Sequence, residues 1–193
     1  MSVTIVGAGS IGSNLALLLA RLGLKNITVY DFDSVEDHNL GHQAFRLKDI
    51  KRPKVEALQE IILEATGIEI KAIPEMTDGK DIKTDVLIFA VDSMSARDMI
   101  FKNATFSFAV DGRMGGETFN CYAFGMMDSD RYVGTLYSDE DASDLPCGGK
   151  SIGYISYIIA GIMENTIKKI MKGEPFPFEQ NFCAKNLIYS VTK

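Results

Sequence analysis

The most constraining stretch of this sequence is its first forty residues, where a short apolar run leads into three glycines. The glycines are Gly7, Gly9 and Gly12, spaced as Gly-x-Gly-x-x-Gly, and residues 3–6 before them have the composition of a buried strand. In this motif the first glycine permits a tight turn, the second lets the backbone approach a phosphate, and the third lets a helix pack close to the strand. The sequence therefore predicts a nucleotide-binding βαβ unit.

The residues after the glycines complete this unit. A helix is predicted at residues 11–22 and a second strand at residues 27–30, which ends at Asp31. The amide groups of Ser10 and Ile11 lie at the positive end of that helix, where a phosphate would bind. Asp31 falls about 20 residues beyond the motif, where an acid can accept both ribose hydroxyls. A glycine turn in an ordinary α/β domain is the alternative, and it leaves the acid unexplained.

The rest of the chain alternates between apolar runs and amphipathic stretches. Strands are predicted at residues 68–73, 85–91, 106–110, 118–126, 132–137 and 186–191, with a turn at residues 128–130. Further helices are predicted at residues 54–65, 94–103 and 152–172, and a loop at residues 138–150. The predicted fold is α/β: a Rossmann-like, mostly parallel sheet with helices on both faces and antiparallel strands towards the C-terminal half.

Length, charge and cysteine content exclude several classes of protein. The 193 residues fit one domain, so we expect residues 1–193 to form a single nucleotide-binding domain. A net charge of −6 without a basic run argues against a nucleic-acid partner. The apolar helix at 152–172 acquires charges too early to span a membrane, and no signal peptide fits the N-terminus. Cys121, Cys147 and Cys183 form no Cys-x-x-Cys pair, so we expect a reduced, cytoplasmic protein in which Cys121 is structural.

Such a nucleotide site commonly serves either hydride transfer or a reaction of ATP that releases pyrophosphate, and two polar residues favour the second use. A hydride-transfer enzyme needs an apolar slot for nicotinamide, whereas an ATP site with pyrophosphate as leaving group needs cations and a carboxylate that holds magnesium. Lys54, on the first turn of the helix at 54–65, and Asp92, after the strand at 85–91, supply the second set. The sequence therefore favours ATP and Mg²⁺ over NAD, and an NAD-linked oxidoreductase stays open as an alternative.

Several short motifs together resemble those of a known family. They are Gly7-x-Gly9-x-x-Gly12, Asp31-Phe32-Asp33-x-Val35, Asn39-Leu40-x-x-Gln43, Pro53-Lys54-Val55-Glu56, and Val91-Asp92-Ser93 followed by Arg97. This combination is similar to the ThiF/MoeB/HesA family, the prokaryotic relatives of the ubiquitin-activating enzymes. The resemblance implies that ATP adenylates the C-terminal glycine carboxylate of a ubiquitin-like or sulfur-carrier protein, with release of pyrophosphate.

Carried over by position, the resemblance assigns roles to individual residues. Asp31 would bind the ribose, Lys54 the phosphates, and Asp92 the magnesium ion, so that Lys54 and Asp92 would be catalytic. Plainer roles stay open for two of them: Lys54 as a solvated lysine, and Asp92 as the cap of the helix at 94–103. The implied cofactor-binding residues are Gly7, Gly9, Ser10, Ile11, Gly12, Asp31, Asp33, Asn39, His42, Gln43 and Lys54.

The cysteine before the last helix is a further candidate for catalysis. Cys147 matches the position of the cysteine that, in sulfur-transferring members of the family, takes the acyl group as a thioester or persulfide. Lys150 and the following helix would lower the pKa of this thiol, as a reactive cysteine requires. The acidic residues between 139 and 144 would raise it, so an unreactive loop cysteine is the alternative.

The sequence departs from the family at several points. His42 stands where the family usually has an arginine, and a histidine is only partly charged near neutral pH. Arg113 is a candidate to replace that cation, although an ion pair with Glu117 would explain it equally well. The N-terminal helices and the paired Cys-x-x-Cys motifs of many members are also absent. These departures keep open a nucleotide-binding module with reduced catalysis, and in either case we expect a homodimer formed through the helix at 152–172.

Overall fold

The structure is a computed structural model that describes residues 1–139 and 152–193. Within these residues, eight strands form one sheet in the order β3-β2-β1-β4-β5-β6-β7-β8. The strands are β1 (Val3–Val6), β2 (Ile27–Tyr30), β3 (Lys71–Ile73), β4 (Lys83–Phe89), β5 (Thr105–Gly115), β6 (Thr118–Gly125), β7 (Glu179–Cys183) and β8 (Ile188–Thr192). The helices are α1 (Ser10–Arg21), α2 (Lys54–Thr66), α3 (Met94–Asn103), α4 (Ser129–Val133) and α5 (Gly153–Lys172), with 3₁₀ turns at Asp37–Gly41, Leu47–Asp49 and Met126–Asp128.

The sheet is parallel in its first half and antiparallel in its second. Strands β1 to β5 pair in parallel, and β6, β7 and β8 extend the sheet by antiparallel pairing. Strand β1 is central: Val3 lies opposite Ile27 of β2 on one side and Val86 of β4 on the other. All four residues of β1 are buried, as expected for a parallel strand covered on both faces. The predicted fold class is confirmed.

Helices cover both faces of the sheet. Helices α1, α2 and α5 pack on one face, where Leu15, Leu58 and Ile159 enter a single core cluster. On the other face lies a second, aromatic cluster that contains Ile100 of α3 and Tyr132 of α4. Alternate residues of each central strand enter opposite clusters because successive side chains of a strand point to opposite faces. This arrangement leaves the carboxyl ends of β1, β2 and β4 together at one edge of the sheet, where parallel α/β folds bind ligands.

The predicted strand at residues 132–137 is wrong. Ser129–Val133 forms a short helix instead, and residues 134–137 belong to no strand. The apolar residue behind that prediction, Tyr132, is fully buried and stacks on Phe124 with 4.2 Å between ring centroids. A helical turn is enough to place this one ring, while its neighbour Val133 is 44% exposed. The predicted turn at residues 128–130 is likewise the start of this helix and not a hairpin.

Strands β5 and β7 also differ from the sequence-based expectation. Strand β5 continues to Gly115, because residues 111–115 pair with β6 and do not form a separate loop. Strand β7 was not predicted: its residues, such as Glu179 and Asn181, are polar, and its pairing with β6 and β8 fixes it in the sheet. The predicted loop at residues 138–150 lies almost entirely outside the described residues.

Candidate nucleotide-binding site

The glycine motif forms the tight turn between β1 and α1. Gly7 has φ +98°, and a Cβ there would lie 2.4 Å from the carbonyl oxygen of Ala90. A Cβ at Gly12 would lie 1.8 Å from the carbonyl oxygen of Gly7, so α1 can approach the turn only because residue 12 is glycine. A Cβ at Gly9 would meet nothing within 4 Å. Gly7 and Gly12 are therefore required by packing, whereas the space above Gly9 is open to a ligand.

Asp31 connects the glycine turn to the end of β2. Its Oδ2 accepts a hydrogen bond of 2.6 Å from the backbone N–H of Ala8, and its Oδ1 accepts one of 2.8 Å from the N–H of Asp33. Burial raises the pKa of Asp31, although these two hydrogen bonds and the nearby Lys54 oppose that shift. Each carboxylate oxygen can accept a further hydrogen bond. The carboxylate thus holds the turn in place and can still receive ribose hydroxyls.

Lys54 begins helix α2 and turns its side chain into the protein. Its Nζ lies 2.8 Å from Oδ2 of Asp33, and its backbone N–H donates to the carbonyl oxygen of Asp33 at 2.9 Å. The side chain of Lys54 is 9% exposed and that of Asp33 is 50% exposed. The alternative of a solvated lysine is therefore wrong. The ion pair instead places a buried cation beside a half-exposed carboxylate.

The loop between β2 and α2 carries Asn39 and Gln43, and both side chains are buried. Oδ1 of Asn39 accepts a hydrogen bond of 2.8 Å from the N–H of Glu36, which closes the 3₁₀ turn that contains Asn39. Oε1 of Gln43 is buried and has no hydrogen-bond partner among the described residues. A buried acceptor without a partner costs about 1–3 kcal/mol, so this oxygen is suited to a donor from water or a ligand.

His42 lies at the start of α1, beside the glycine turn. Its Nδ1 is 2.7 Å from Oγ of Ser10, the first residue of the helix. Burial lowers the pKa of His42, and the nearby His38 and Lys54 lower it further. The ring is therefore harder to protonate than a free imidazole, and it offers mainly a hydrogen-bonding group at the point where a phosphate is expected.

Asp92 lies just beyond β4 with its side chain exposed. The N-cap of α3 is Ser93, whose Oγ accepts a hydrogen bond of 3.3 Å from the N–H of Ala96. The alternative role of Asp92 as the helix cap is therefore wrong, and its carboxylate is available. Residues 1–139 and 152–193 contain no group of three His, Cys, Asp or Glu side chains that could hold a metal ion. The donor set fits Mg²⁺ only where one carboxylate and substrate phosphates share the ion, as is usual for magnesium.

An open depression adjoins the ends of β2 and β3. It measures about 520 Å³, and its apolar lining comes from Tyr30, Ile73, Met76 and Met99. Thr77 and three acidic residues, Glu75, Asp78 and Asp81, complete the lining. Tyr30 directly precedes Asp31 in the chain, although Asp31 itself does not line the depression. Its apolar walls and acidic rim suit a flat ring that carries an exocyclic amine.

Comparison with known proteins adds to this geometry. The model of the ThiF family matches residues 1–192. This chain belongs to the ThiF family. It is 32% identical over 104 residues to the NEDD8-activating enzyme E1 catalytic subunit of Arabidopsis thaliana, a match that covers 51% of this chain and 23% of that protein. It is 31% identical over 105 residues to the sulfur carrier protein ThiS adenylyltransferase of Escherichia coli K12, which covers 51% of this chain and 42% of that enzyme.

Solved structures share the fold of this ThiF-family chain. The structure of MccB from E. coli with ATP superposes with a TM-score of 0.78 at 15% sequence identity, over all of this chain and 63% of that one. The chain thus spans less than two thirds of the length of these relatives. At this identity the likeness supports the fold alone. No helix in the described part of the chain is long and apolar enough to cross a membrane.

Arg113 of this ThiF-family chain takes part in a buried network. Its Nε donates to Oδ2 of Asp111 at 2.7 Å, and its other nitrogens donate to the carbonyl oxygen and Oγ1 of Thr135 at 2.8 and 3.0 Å. Glu117, the alternative ion-pair partner, instead accepts a hydrogen bond from the hydroxyl of Tyr154. The suggested Arg113–Glu117 pair is therefore wrong. The guanidinium group is engaged with Asp111 of its own strand and with Thr135 beyond α4, and not with the glycine turn.

The cysteines contribute little to the described site. Cys121 is fully buried in β6, and burial raises the pKa of its thiol, so it is an unreactive core residue. Cys183 lies partly exposed at the end of β7, three strands from β4 in the sheet. Cys147 and Lys150 lie outside the described residues.

Sequence reasoning missed one central residue, Asp111. Its carboxylate is fully buried and accepts hydrogen bonds from Arg97, Arg113 and Tyr132. The only sequence signal is an acidic residue directly after the apolar strand residues 106–110. Its two arginine partners come from α3 and β5, and no local pattern indicates that they meet.

Proposed function

We propose that this chain catalyses ATP-dependent adenylation of the C-terminal glycine carboxylate of a ubiquitin-like or sulfur-carrier protein. The observation that carries the proposal is the crevice at the carboxyl ends of β1, β2 and β4. At this edge Gly9 follows β1, Asp31 follows β2 and Asp92 follows β4, and the buried ammonium group of Lys54 pairs with Asp33, two residues beyond Asp31. Family membership supports the same class of reaction, and the names of two relatives describe the activation of such carriers.

In this proposal the nucleotide lies along the edge of the sheet. The adenine ring occupies the depression beside Tyr30 and the ribose hydroxyls donate to Asp31. The phosphates lie over Gly9 and the first amides of α1, where Ser10 and Ile11 add N–H donors at the positive end of the helix dipole. The unpartnered acceptor of Gln43 takes a hydrogen bond from the nucleotide or from a water that accompanies it.

The chemical step joins two anions, so charge neutralisation is the main requirement. A carboxylate oxygen of the carrier attacks the α-phosphorus, the bond from that phosphorus to the bridging oxygen breaks, and pyrophosphate leaves. Lys54 offsets the negative charge of the phosphates, and Asp33 keeps its ammonium group in place before the nucleotide binds. Asp92 would hold magnesium, which would neutralise the departing pyrophosphate. Asn39 contributes by shaping the loop that carries His42 and Gln43.

Two finer features extend the proposal. The exposed face of α5 carries Tyr154, Tyr157 and Ile158, and we infer that a second copy of the chain covers this face in a homodimer. Transfer of the acyl group to Cys147 would follow adenylation, with the thiolate displacing AMP. A cytoplasmic location fits a reaction that consumes ATP.

A second candidate function is a nucleotide-binding module with reduced catalysis. It is favoured by the surroundings of two candidate cations: burial lowers the pKa of His42, and Arg113 is paired with Asp111. In that case the chain would bind ATP and act as a partner in an assembly.

Exchange of labelled pyrophosphate into ATP, measured with candidate carriers that end in glycine, tests the proposal. We expect exchange that depends on the carrier, on Mg²⁺ and on its terminal carboxylate, and that is lost in Asp92→Asn. The matched control is Asp98→Asn, which changes a partly exposed acid on the following helix α3 that pairs with Lys102. ATP binding without exchange would support the module instead. Binding of NADH but not ATP would contradict both.

A further inference from the structure

The backbone on either side of Asp92 is held by one buried side chain. Nη2 of Arg97 donates to the carbonyl oxygen of Val91 at 2.6 Å, and Nη1 donates to the carbonyl oxygen of Ser93 at 3.1 Å. Both bonds lie just beyond the sheet, because the last ladder bond of this strand runs from the N–H of Ala90 to Val6. The guanidinium group therefore bridges the residue before Asp92 and the residue after it.

Arg97 is itself fixed from the neighbouring strand. Its side chain is 4% exposed, its Nε donates to Oδ1 of Asp111 at 2.9 Å, and Nη2 also reaches the carbonyl oxygen of Gly112 at 3.2 Å. The other oxygen of Asp111 accepts from Arg113 and from the hydroxyl of Tyr132 at 3.0 Å. Planar, charge-assisted contacts of this kind fix the orientation of a guanidinium group better than a single contact does.

We propose that Arg97, oriented by Asp111, is a positioning residue that sets the backbone of residues 91–93 and so directs the Asp92 carboxylate into the crevice. The inference rests on the proposed function, in which this carboxylate holds a metal ion together with phosphate oxygens. The physical reason is that a single exposed carboxylate can share such an ion only from a fixed position. A peptide segment between a strand end and a helix start, where the ladder has ended, needs an external partner to keep that position.

The substitution Arg97→Lys tests this inference. Lysine keeps a positive charge near Asp111, but its compact ammonium group cannot bridge both carbonyl oxygens as the planar guanidinium does. The matched control is Tyr132→Phe, which removes one hydrogen bond from the same Asp111 and touches neither carbonyl. If the hydrogen bonds around Asp111 are purely structural, both variants should lose thermal stability and neither should lose affinity for a metal ion.

The first readout is binding of Mn²⁺, as a spectroscopic substitute for Mg²⁺, in the presence of a non-hydrolysable ATP analogue, followed by electron paramagnetic resonance. We expect Arg97→Lys to weaken Mn²⁺ binding by about tenfold or more, as is typical when a supporting residue of a metal ligand is changed. We expect Tyr132→Phe to stay within about twofold of wild type at a similar loss of thermal stability. The double variant Asp92→Asn with Arg97→Lys should bind Mn²⁺ no more weakly than Asp92→Asn alone. Additive losses of Mn²⁺ affinity from the two substitutions would overturn the inference.

A second readout separates failure of this inference from failure of the proposed function. A crystal structure of Arg97→Lys measures the position of the Asp92 backbone directly, with or without a metal ion. A displaced segment at residues 91–93 supports the positioning role, and an unmoved segment overturns it. Unchanged Mn²⁺ binding in Asp92→Asn would instead contradict the metal role of Asp92 in the proposed function, while the crystal structure would still decide the role of Arg97.

Discussion

Alanine substitutions at two glycines of the same turn should separate folding from nucleotide binding. Gly9→Ala adds a methyl group where nothing lies within 4 Å, at a backbone φ of −77° that alanine adopts readily. Gly12→Ala adds the same methyl group 1.8 Å from the carbonyl oxygen of Gly7. The two variants differ by one methyl group each from the wild type, and the structure predicts opposite outcomes for them.

The expected magnitudes follow from these distances. At residue 12 the new atom overlaps backbone that cannot rotate away, so helix α1 must move off the turn. We expect a loss of about 3 kcal/mol or more in the free energy of unfolding, at or above the upper end for overpacked cores. At residue 9 alanine is a poorer N-cap than glycine, and the loss should be about 1 kcal/mol. For a domain of this size each kcal/mol shifts Tm by about 2–4 °C, so the melting temperatures should differ clearly.

Thermal melts and ATP titrations by calorimetry test both halves of the prediction. Gly9→Ala should melt within about 4 °C of wild type yet bind ATP at least about tenfold more weakly, because its methyl group occupies the space of a phosphate. Gly12→Ala should melt at least about 6 °C below wild type. Wild-type ATP affinity in Gly9→Ala would refute the placement of the phosphates over this residue. A wild-type melting temperature in Gly12→Ala would refute the packing argument.

Three further predictions concern the loop, its histidine and the last helix. Burial raises the pKa of Asp49, but hydrogen bonds from Arg46 and the charge of the nearby Arg52 outweigh burial and hold that pKa below its usual value. The ionised Asp49 therefore stabilises the fold above about pH 4, and this stabilisation is lost below it. Asp49→Asn should therefore cost about 2 kcal/mol near pH 7 in urea unfolding, and equal acid sensitivity of the two proteins would contradict the assignment. ATP should raise the lowered pKa of His42, so affinity should rise between about pH 7.5 and about pH 6 in wild type and less in His42→Gln, as followed by calorimetry. In the free protein the same lowered pKa means that stability from the neutral ring is lost as pH falls through it. Ile158→Glu changes the exposed face of α5 and should convert a dimer to a monomer in analytical ultracentrifugation. It should not lower Tm by more than about 4 °C. A wild-type protein that is already monomeric would contradict the homodimer.

The sequence predicts well what depends on local pattern. The glycine turn, the helix at Met94–Asn103 and the long helix α5 follow from spacing and periodicity, which report backbone conformation and burial directly. The positions of Asp31 and Lys54 at element ends could be read in the same way. Their hydrogen-bond partners could not, because the Asp33–Lys54 pair joins residues from two different elements.

The incorrect predictions of secondary structure and the missed ion pair share one physical cause. In each case, contacts between distant parts of the chain determine the structure. The helix at Ser129–Val133 packs the ring of Tyr132 against Phe124, although Tyr132 and Val133 are residue types that favour strands. Strand β7 has polar residues that predict a loop, yet it pairs with strands on both sides. The Arg97–Asp111 pair joins α3 to β5 and has no signature in either segment alone.

The hydrogen bonds to the backbone of His42 bear on how mutation can alter the charge of the nucleotide site. The carbonyl oxygen of His42 accepts hydrogen bonds from Nδ2 of Asn14 and from Oγ of Ser156, both at 3.0 Å, so helices α1 and α5 together hold the loop there. These two hydrogen bonds to the backbone can therefore form whichever side chain stands at this position. The charge offered to a phosphate can be replaced in one step, without a compensating change elsewhere. His42→Arg is thus a single substitution by which natural variation, or an experimenter, could adjust the strength of phosphate binding while the architecture stays the same.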